Sequence, residues 1–168
     1  TVYGDIAGSA YEFHPVKDDN FSTISKKHAR FTDDTVMTIA VAHALLDAQP
    51  NASDEWITNR LIACMKHYGK LYPDAGYGTG FYVWLCKDNP QPYNSWGNGS
   101  AMRVSSAAWL YNNIDSVRHT ARLTAEVTHN HPEGIKGAEA TASAIFLART
   151  GHSKTEIKTY IEKEFHYD

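Results

Sequence analysis

The residues from Asp34 to Ala48 constrain the fold of this chain more than any other segment, because they are apolar on almost every side of a helix. The apolar side chains include Val36, Met37, Ile39, Ala40, Val41, Ala44, Leu45 and Leu46. A helix at the surface of a protein keeps a polar face, whereas a helix that is apolar all round is enclosed by other elements. The segment therefore predicts a central helix with the rest of the domain packed around it.

Five further helices are predicted from apolar spacing, capping residues and helix breakers. They run from Ser53 to Leu71, from Ala101 to Tyr111, from Ser116 to about Thr128, from Pro132 to Ala148 and from Ser153 to Phe165. Pro132 suits the first turn of a helix and Gly151 lies just past the end of that helix. Ser153 and Glu156 form a capping-box pattern that opens the last helix.

Two segments look irregular, Gly4 to Arg30 and the Gly-, Tyr-, Asn- and Pro-rich stretch from Pro73 to Gly99. No segment alternates polar and apolar residues at a period of two, which argues against a sheet. We therefore predict an all-α fold in a single domain, residues 1–168, with function carried by the loops.

The composition is that of a globular protein and excludes several functional classes. The 168 residues carry a formal net charge of −3, so no basic face is expected to hold nucleic acid. Two cysteines cannot build a disulfide framework and favour a reducing, cytoplasmic compartment. The least polar stretch, Val36 to Leu46, is shorter than the roughly 20 residues that span a bilayer, so no membrane partner is expected. Because the sequence opens at Thr1 rather than a methionine, we interpret it as a partial chain.

A first candidate site is the acidic segment Thr32–Thr35 at the start of the apolar helix. Its carboxylates and hydroxyls are oxygen ligands of the kind that Mg²⁺ and Mn²⁺ prefer. Taken alone, such a motif is more often a helix cap, here supplied by Thr32 or Asp33, than a metal site. Two adjacent acids at the end of a buried helix repel each other unless a cation or hydrogen-bond donors lie between them, which favours the metal site.

A second candidate is the glycine-rich segment from Trp96 to Arg103, which leads into a helix. Glycines let backbone N–H groups converge and the helix start adds partial positive charge, so a phosphate or diphosphate could bind here. The alternative is a tight turn before an ordinary helix. Gly76, Gly78 and Gly80 mark another segment, interleaved with aromatic residues, that is either a lid over a ring or a loop anchored by its aromatics.

Two further segments contain isolated polar candidates. His129 and His131 could bind zinc, but further ligands of a zinc site are not evident, so contact with a phosphate or ribose is favoured over metal ligation. Either histidine could also simply hydrogen-bond the helix junction. Glu12 lies on a short glycine-punctuated stretch and is either a gate or base at the site or an ordinary solvated acid.

These motifs, taken in their order along the chain, resemble the ADP-ribosylglycohydrolase family, which includes the dinitrogenase-reductase-activating glycohydrolases. The matching segments are Gly4-Asp5-x-x-Gly8-x-x-x-Glu12, Thr32-Asp33-Asp34-Thr35, Asn94 through Val104, and Thr128-His129-x-His131-Pro132-Glu133. The segment Gly97-Asn98-Gly99-Ser100-Ala101-Met102-Arg103 is the most specific of them. The resemblance covers essentially the whole chain.

The resemblance implies an orthogonal all-α bundle with two Mg²⁺ or Mn²⁺ ions at its centre. It implies that Thr32, Asp33 and Asp34 are metal ligands, with Asp33 and Asp34 also catalytic, and that Glu12 gates the metal centre and helps to position substrate. The diphosphate of ADP-ribose would be held by the backbone around Asn98, Gly99, Ser100 and Ala101, supported by Met102 and Arg103, with His129 beside the phosphate or ribose.

Two features depart from the family pattern. Family members continue to a late Gly-Asp-x-Asp-Thr-type motif that completes both metal sites, and these 168 residues do not contain it. We therefore expect a bundle without its C-terminal helices and only half of the metal-ligand set. Ser106 also stands where many members have proline.

The function implied is hydrolysis of the glycosidic bond between ADP-ribose and a protein side chain, or of a related small ADP-ribose derivative. Nearby carboxylates would stabilise the oxocarbenium-like transition state of that reaction. The alternatives are a non-catalytic ADP-ribose-binding module, a metal-dependent phosphohydrolase that cleaves the diphosphate, and a helical interaction protein without a ligand. The sequence does not indicate an oligomeric state.

Overall fold

The computed structural model describes residues 1–13, 17 and 29–167, and over these residues it contains helices and no strand. The helices are α1 (Val2–Gly8), α2 (Asp33–Leu46), α3 (Asp54–Leu71), α4 (Thr79–Cys86), α5 (Gly99–Met102), α6 (Ser105–Leu110), α7 (Ile114–Glu126), α8 (Pro132–Arg149) and α9 (Lys154–Phe165). The prediction of an all-α fold is confirmed over this part of the chain. None of the helices described here combines the length and the apolar character needed to cross a membrane.

Helix α2 lies in the core, as its apolar sequence predicts. Met37, Ala40, Val41 and Ala44 have no solvent exposure, and the helix packs against α3 and α6 and also touches α1 and α5. Only the edge residues Ile39 and Leu46 remain exposed. The burial of α2 fixes the position of its N-terminal acids, because a helix packed on most sides cannot rotate or slide without opening cavities.

Helices α7 and α8 form the most extensive helix pair and carry the other half of the core. Their buried residues include small side chains, among them Ala121, Ala125, Ala138 and Ala142. Small residues at a helix contact reduce the distance between the two axes. The five-residue connection between these helices, residues 127–131, therefore lies against the packed pair and contains His129.

The predicted capping signals are confirmed. The Ser53 hydroxyl accepts a hydrogen bond from the backbone N–H of Trp56 at the start of α3. Ser153 and Glu156 form a complete capping box at the start of α9. Pro132 is the first residue of α8, and Gly151 follows that helix with a φ of +93°, in the left-handed region that glycine tolerates.

Three predictions about local structure are wrong. Val2–Gly8 is a helix rather than irregular chain, and Thr79–Cys86 is a helix within the stretch predicted to be irregular. The helix predicted from Ala101 to Tyr111 is two short helices, α5 and α6, separated at Arg103 and Val104. Helix α4 forms because Phe81, Trp84 and Leu85 share one buried face, with the Phe81 and Trp84 rings stacked 5.4 Å apart. Tertiary packing here overrides the low helix propensity of the flanking glycines.

Candidate functional site

A cleft of about 320 Å³ brings together most of the predicted site residues. It lies where the N-terminal ends of α2 and α4 meet the loop before α5 and the connection between α7 and α8. The predicted residues that line it are Asp33, Asn98, Gly99, Met102, Arg103 and His129. Thr32, Asp34, Glu12, Ser100 and Ala101 do not line it.

The glycine-rich loop packs directly against His129. A Cβ atom placed on Gly99 would lie 2.9 Å from both Cε1 and Nε2 of the His129 ring, so only glycine fits there without displacing the ring. The buried hydroxyl of Ser100 donates a 2.7 Å hydrogen bond to the carbonyl of Gly134 and thereby ties the loop to α8. Ser100 and Ala101 therefore face a neighbouring hollow rather than the cleft. Helix α5 has only four residues, so its dipole contributes less than the sequence pattern suggests.

Arg103 lies beneath this loop and is 1% exposed. Its Nη2 donates to the carbonyl of Thr124 and to the hydroxyl of Thr128, both at 2.8 Å, and its Nε has no partner among the described residues. Burial lowers the pKa of Arg103 to about 10. No carboxylate of the described part of the chain pairs with it. A buried cation without an anionic partner at the wall of a cleft favours an anionic ligand.

His129 is 4% exposed and hydrogen-bonds Thr128, with 2.6 Å between its Nδ1 and the hydroxyl oxygen. Burial, together with the charge of Arg103, lowers the pKa of His129 to about 4. The ring is therefore neutral near pH 7. His131, by contrast, is the N-cap of α8, where its Nδ1 accepts a hydrogen bond from the backbone N–H of Glu133. The alternative that His131 hydrogen-bonds the helix junction is therefore confirmed.

The acidic segment is held by a carboxylate from α1. Asp5 accepts hydrogen bonds from the backbone N–H groups of Thr32 and Thr35, at 2.7 and 3.2 Å, and from their hydroxyls, at 2.7 and 2.5 Å. These hydrogen bonds outweigh the effect of burial and lower the pKa of Asp5. The role of Asp5 could not be predicted from its motif, because its contact with Thr32 spans 27 positions and leaves no local signal in the sequence.

Asp33 and Asp34 are partly buried, and burial raises the pKa of both carboxyl groups. Burial, with the charge of Asp34 second, raises the pKa of Asp33 to about 6. Burial, followed by the charges of Asp5 and Glu12, also raises the pKa of Asp34. Glu12 itself is exposed, so the structure brings it near the acids but not into the wall of the cleft.

The oxygen atoms of this acidic segment are the right kind of ligand for a hard divalent cation, but they are too few to complete its coordination. The oxygens of Thr32, Asp33 and Asp34 suit Mg²⁺ or Mn²⁺, and the mutual repulsion of the two carboxylates would be relieved by a cation. Within the described residues, no group of three or more His, Cys, Asp or Glu side chains could hold a metal ion. The Thr32 hydroxyl also acts as the N-cap of α2, accepting from the N–H of Asp34 at 3.3 Å, so capping and ligation are compatible alternatives.

The structure adds residues to the cleft that were not among the predicted site residues. Tyr93 and Ser95 line the cleft, with the Tyr93 ring centroid 6.0 Å from that of His129. Gly78, Thr79 and Gly80 line its other wall. The segment was predicted to be either a lid or a loop anchored by aromatic residues. The structure fits neither description fully, because Thr79 and Gly80 begin helix α4. The only local signal for Tyr93 was its position next to the Asn94 motif.

A larger hollow of about 590 Å³ lies at the C-terminal end of α2, where α3 begins. Its polar wall contains Asp54 and His119, whose side chains pair with each other at 2.9 Å. None of the predicted site residues lies there. Size alone therefore does not decide between the two hollows. The smaller cleft is the better candidate, because a buried cation, a neutral histidine and the carboxylate of Asp33 converge there.

Comparisons with known proteins show the family of the chain. The model of the ADP-ribosylglycohydrolase family matches residues 1–166. The chain is similar to human ADP-ribosylhydrolase ARH3, with 32% identity over an alignment of 187 positions, gaps included, that covers 92% of this chain and 49% of that protein. It is 36% identical to mouse ADP-ribosylhydrolase ARH3 over 140 residues, covering 75% of this chain and 36% of that protein. The corresponding chicken protein is 33% identical over 147 residues, covering 79% of this chain and 38% of its own length.

The chain thus spans about half, or less, of the length of the curated relatives that it matches. The resemblance that the ordered motifs carry is confirmed, because the family model covers nearly every residue of the chain. The chain belongs to the ADP-ribosylglycohydrolase family.

Proposed function

We propose that the protein containing this chain hydrolyses the glycosidic bond that joins ADP-ribose to a protein side chain or to a related small molecule. The observation that carries the proposal is a single cleft whose wall contains the partly buried carboxylate of Asp33 and the buried guanidinium of Arg103, with which no described carboxylate pairs. A ligand with an anionic part and a reactive sugar carbon matches that polarity. Family membership and similarity to proteins called ADP-ribosylhydrolases support the same reaction class.

Arg103, His129 and the loop at Gly97–Gly99 would bind the diphosphate. Arg103 supplies a fixed positive charge that no described carboxylate neutralises, and His129 supplies a neutral polar group. The absence of a Cβ at Gly99 lets a ligand approach the backbone. Binding energy gained at the diphosphate, remote from the reacting carbon, would position that carbon for reaction.

Asp33 and Asp34 would act at the reacting end of the ligand. Their carboxylates would orient an attacking water and stabilise the positive charge that develops on the ribose ring. Thr32, Asp33 and Asp34 would also supply part of the ligand set for Mg²⁺ or Mn²⁺, an ion that when bound polarises substrate oxygens and lowers the pKa of water. Glu12 is exposed near these acids, and we propose that it closes over the site when substrate binds.

The test is substitution of Asp33 or Asp34 by alanine in the full protein, followed by measurement of ADP-ribose release from an ADP-ribosylated protein. We expect either variant to lose turnover. Asp88→Ala serves as a control, because Asp88 is an exposed acid outside the cleft, and it should keep full activity. Full activity in both Asp33→Ala and Asp34→Ala would overturn the proposal.

The products separate the remaining alternatives. Free ADP-ribose supports glycosidic hydrolysis, whereas AMP and ribose phosphate would mean cleavage of the diphosphate by a phosphohydrolase. Binding of ADP-ribose without any turnover would mean a binding module.

A further inference from the structure

The hydroxyl of Thr128 lies between Arg103 and His129 and hydrogen-bonds both of them. Nη2 of Arg103 is 2.8 Å from the hydroxyl oxygen, and Nδ1 of His129 is 2.6 Å from it. Thr128 has no solvent exposure. Arg103 and His129 are the two partners of this hydroxyl in the part of the chain that the structure describes.

The direction of each hydrogen bond in this chain follows from counting protons. A guanidinium nitrogen can only donate, so the Thr128 oxygen accepts from Arg103. The hydroxyl has one proton to give, and His129 Nδ1 is the acceptor within reach. Nδ1 must then carry a lone pair, and in a neutral imidazole the ring proton resides on Nε2.

The opposite tautomer of His129 would leave a proton without a partner. If Nδ1 carried the ring proton, Thr128 would accept twice and its own proton would point at no acceptor among the described residues. An unpaired donor at a fully buried position disfavours that state by roughly tenfold or more. The lowered pKa of His129, about 4, keeps the ring neutral near pH 7, so one of the two tautomers must be chosen.

The Nε2 atom lies at the glycine-rich loop. It would be 2.9 Å from a Cβ on Gly99 and 4.0 Å from a Cβ on Gly97, and His129 lines the cleft with both glycines. Nε2 has no hydrogen-bond partner among the described residues, in contrast to Nδ1. The free ring nitrogen is therefore the one beside the space that a ligand would occupy.

We propose that Thr128 is a positioning residue which, oriented by Arg103, holds His129 in the Nε2–H tautomer, so that the cleft offers an N–H donor at the Gly97–Gly99 loop. The ligand group at this point must be a hydrogen-bond acceptor, such as a phosphate oxygen, and His129 does not take a proton from it. The identity of that group as the diphosphate of ADP-ribose rests on the proposed function, whereas the tautomer does not.

The direct test is ¹⁵N NMR of the His129 ring in the ligand-free full protein near pH 7. We expect Nδ1 at the chemical shift of an unprotonated nitrogen and Nε2 at that of a protonated one. Thr128→Val should shift the ring toward the other tautomer, and Thr128→Ser, which restores the hydroxyl, should return it. A wild-type ring protonated on Nδ1, or a Thr128→Val ring identical to wild type, would overturn the proposal.

Calorimetry then tests the consequence for binding, with ADP-ribose and adenosine as probes. Thr128→Val should weaken ADP-ribose binding roughly tenfold through loss of one oriented donor, while adenosine affinity should change by less than about twofold. Thr120→Val is the matched control, because it removes another buried threonine hydroxyl from a residue that does not line the cleft. Equal weakening in Thr120→Val would mean that the effect is structural and would contradict the positioning role.

The two measurements also separate failure of this proposal from failure of the proposed function. If the wild-type protein shows the expected tautomer but binds no ADP-ribose, the result supports the role of Thr128 and contradicts the proposed ligand. If the protein binds ADP-ribose but the His129 ring is protonated on Nδ1, the result supports the proposed ligand and contradicts the role of Thr128.

Discussion

The Asp5 carboxylate accepts a 2.7 Å hydrogen bond from the Thr32 hydroxyl and thereby joins α1 to the first turn of α2. The same carboxylate satisfies the backbone N–H groups of Thr32 and Thr35, which is the function of a helix cap supplied by a distant residue. The only proton of the Thr32 hydroxyl points to Asp5, so the remaining oxygen lone pairs are directed away from it. Asp5 therefore determines the orientation of a residue proposed to hold a metal.

Replacement of Asp5 should be costly even though the residue is only partly buried. Asp5→Ala removes the acceptor of four hydrogen bonds, so we expect the free energy of unfolding to fall by about 2–4 kcal/mol. Asp5→Asn keeps one oxygen acceptor and should lose less. Urea denaturation of the full protein measures both changes. Asp115→Ala is the control, an acid in the first turn of α7 that should cost less than about 1 kcal/mol. A smaller effect of Asp5→Ala than of Asp115→Ala would refute the capping role.

Two glycines of α8 should respond to alanine in opposite directions. A Cβ on Gly134 would lie 2.7 Å from the carbonyl oxygen of Ser95 and 3.0 Å from that of His129, so Gly134→Ala must displace the backbone of the cleft. We expect it to reduce the free energy of unfolding by roughly 1–3 kcal/mol and to weaken ADP-ribose binding.

Gly137 is the matched control, because nothing lies within 4 Å of a Cβ at that position. Gly137→Ala should raise the free energy of unfolding by about 0.5–1 kcal/mol through helix propensity alone. Thermal unfolding of both variants tests the contrast. Stabilisation by both substitutions would show that α8 is not in close contact with the segments that carry Ser95 and His129.

The depressed pKa of His129 predicts a specific pH dependence of stability. The folded protein binds a proton at His129 with a pKa of about 4, whereas the unfolded chain does so near the ordinary value of 6.5. Between these values the unfolded state binds more protons, so the free energy of unfolding falls as the pH is lowered. The slope from this one group is at most about 1.4 kcal/mol per pH unit.

Asp33 contributes a pH dependence of stability with the opposite sign, so the contribution of His129 must be measured by comparison with the variant His129→Gln. The folded pKa of Asp33 is raised to about 6, so its protonation favours the folded state as the pH falls. Subtracting the variant's unfolding free energies from those of the wild type should give a stability difference that shrinks from pH 7 to pH 4.5. A difference that is constant over this range would show that His129 is not desolvated.

Two buried serines should also behave oppositely when the hydroxyl is removed. Ser143 is fully buried and its hydroxyl has no partner among the described residues, so Ser143→Ala should raise the free energy of unfolding by about 1 kcal/mol. Ser100 is equally buried but donates to the Gly134 carbonyl, and Ser100→Ala should lower it by about 1 kcal/mol. Chemical denaturation of the pair decides the point, and a loss of stability in Ser143→Ala would reveal a bonded hydroxyl.

Much of the helical framework could be predicted from local sequence. The apolar run of α2, the Ser53 cap of α3 and the Ser153 capping box of α9 act between residues close together in the chain, so pattern reasoning located them to within one or two residues. The ordered motifs likewise indicated the family and six of the residues that line the cleft. These features are encoded locally because hydrogen bonding and burial along one helix depend on near neighbours.

Tertiary structure alone decided how those segments combine into a site. Helix α4 depends on burial of Phe81 and Trp84 in a glycine-rich stretch, and the role of Asp5 depends on a contact with a residue 27 positions away. The Arg103–Thr128–His129 chain joins residues up to 26 positions apart and exists only because α5 packs against α7 and α8. Thr128 and His129 are neighbours in the sequence, but Arg103, which donates to the Thr128 hydroxyl and orients it in the proposed arrangement, lies 25 positions away. That contact could not be predicted from local sequence, because hydrogen-bond partners of buried groups are chosen by packing in three dimensions.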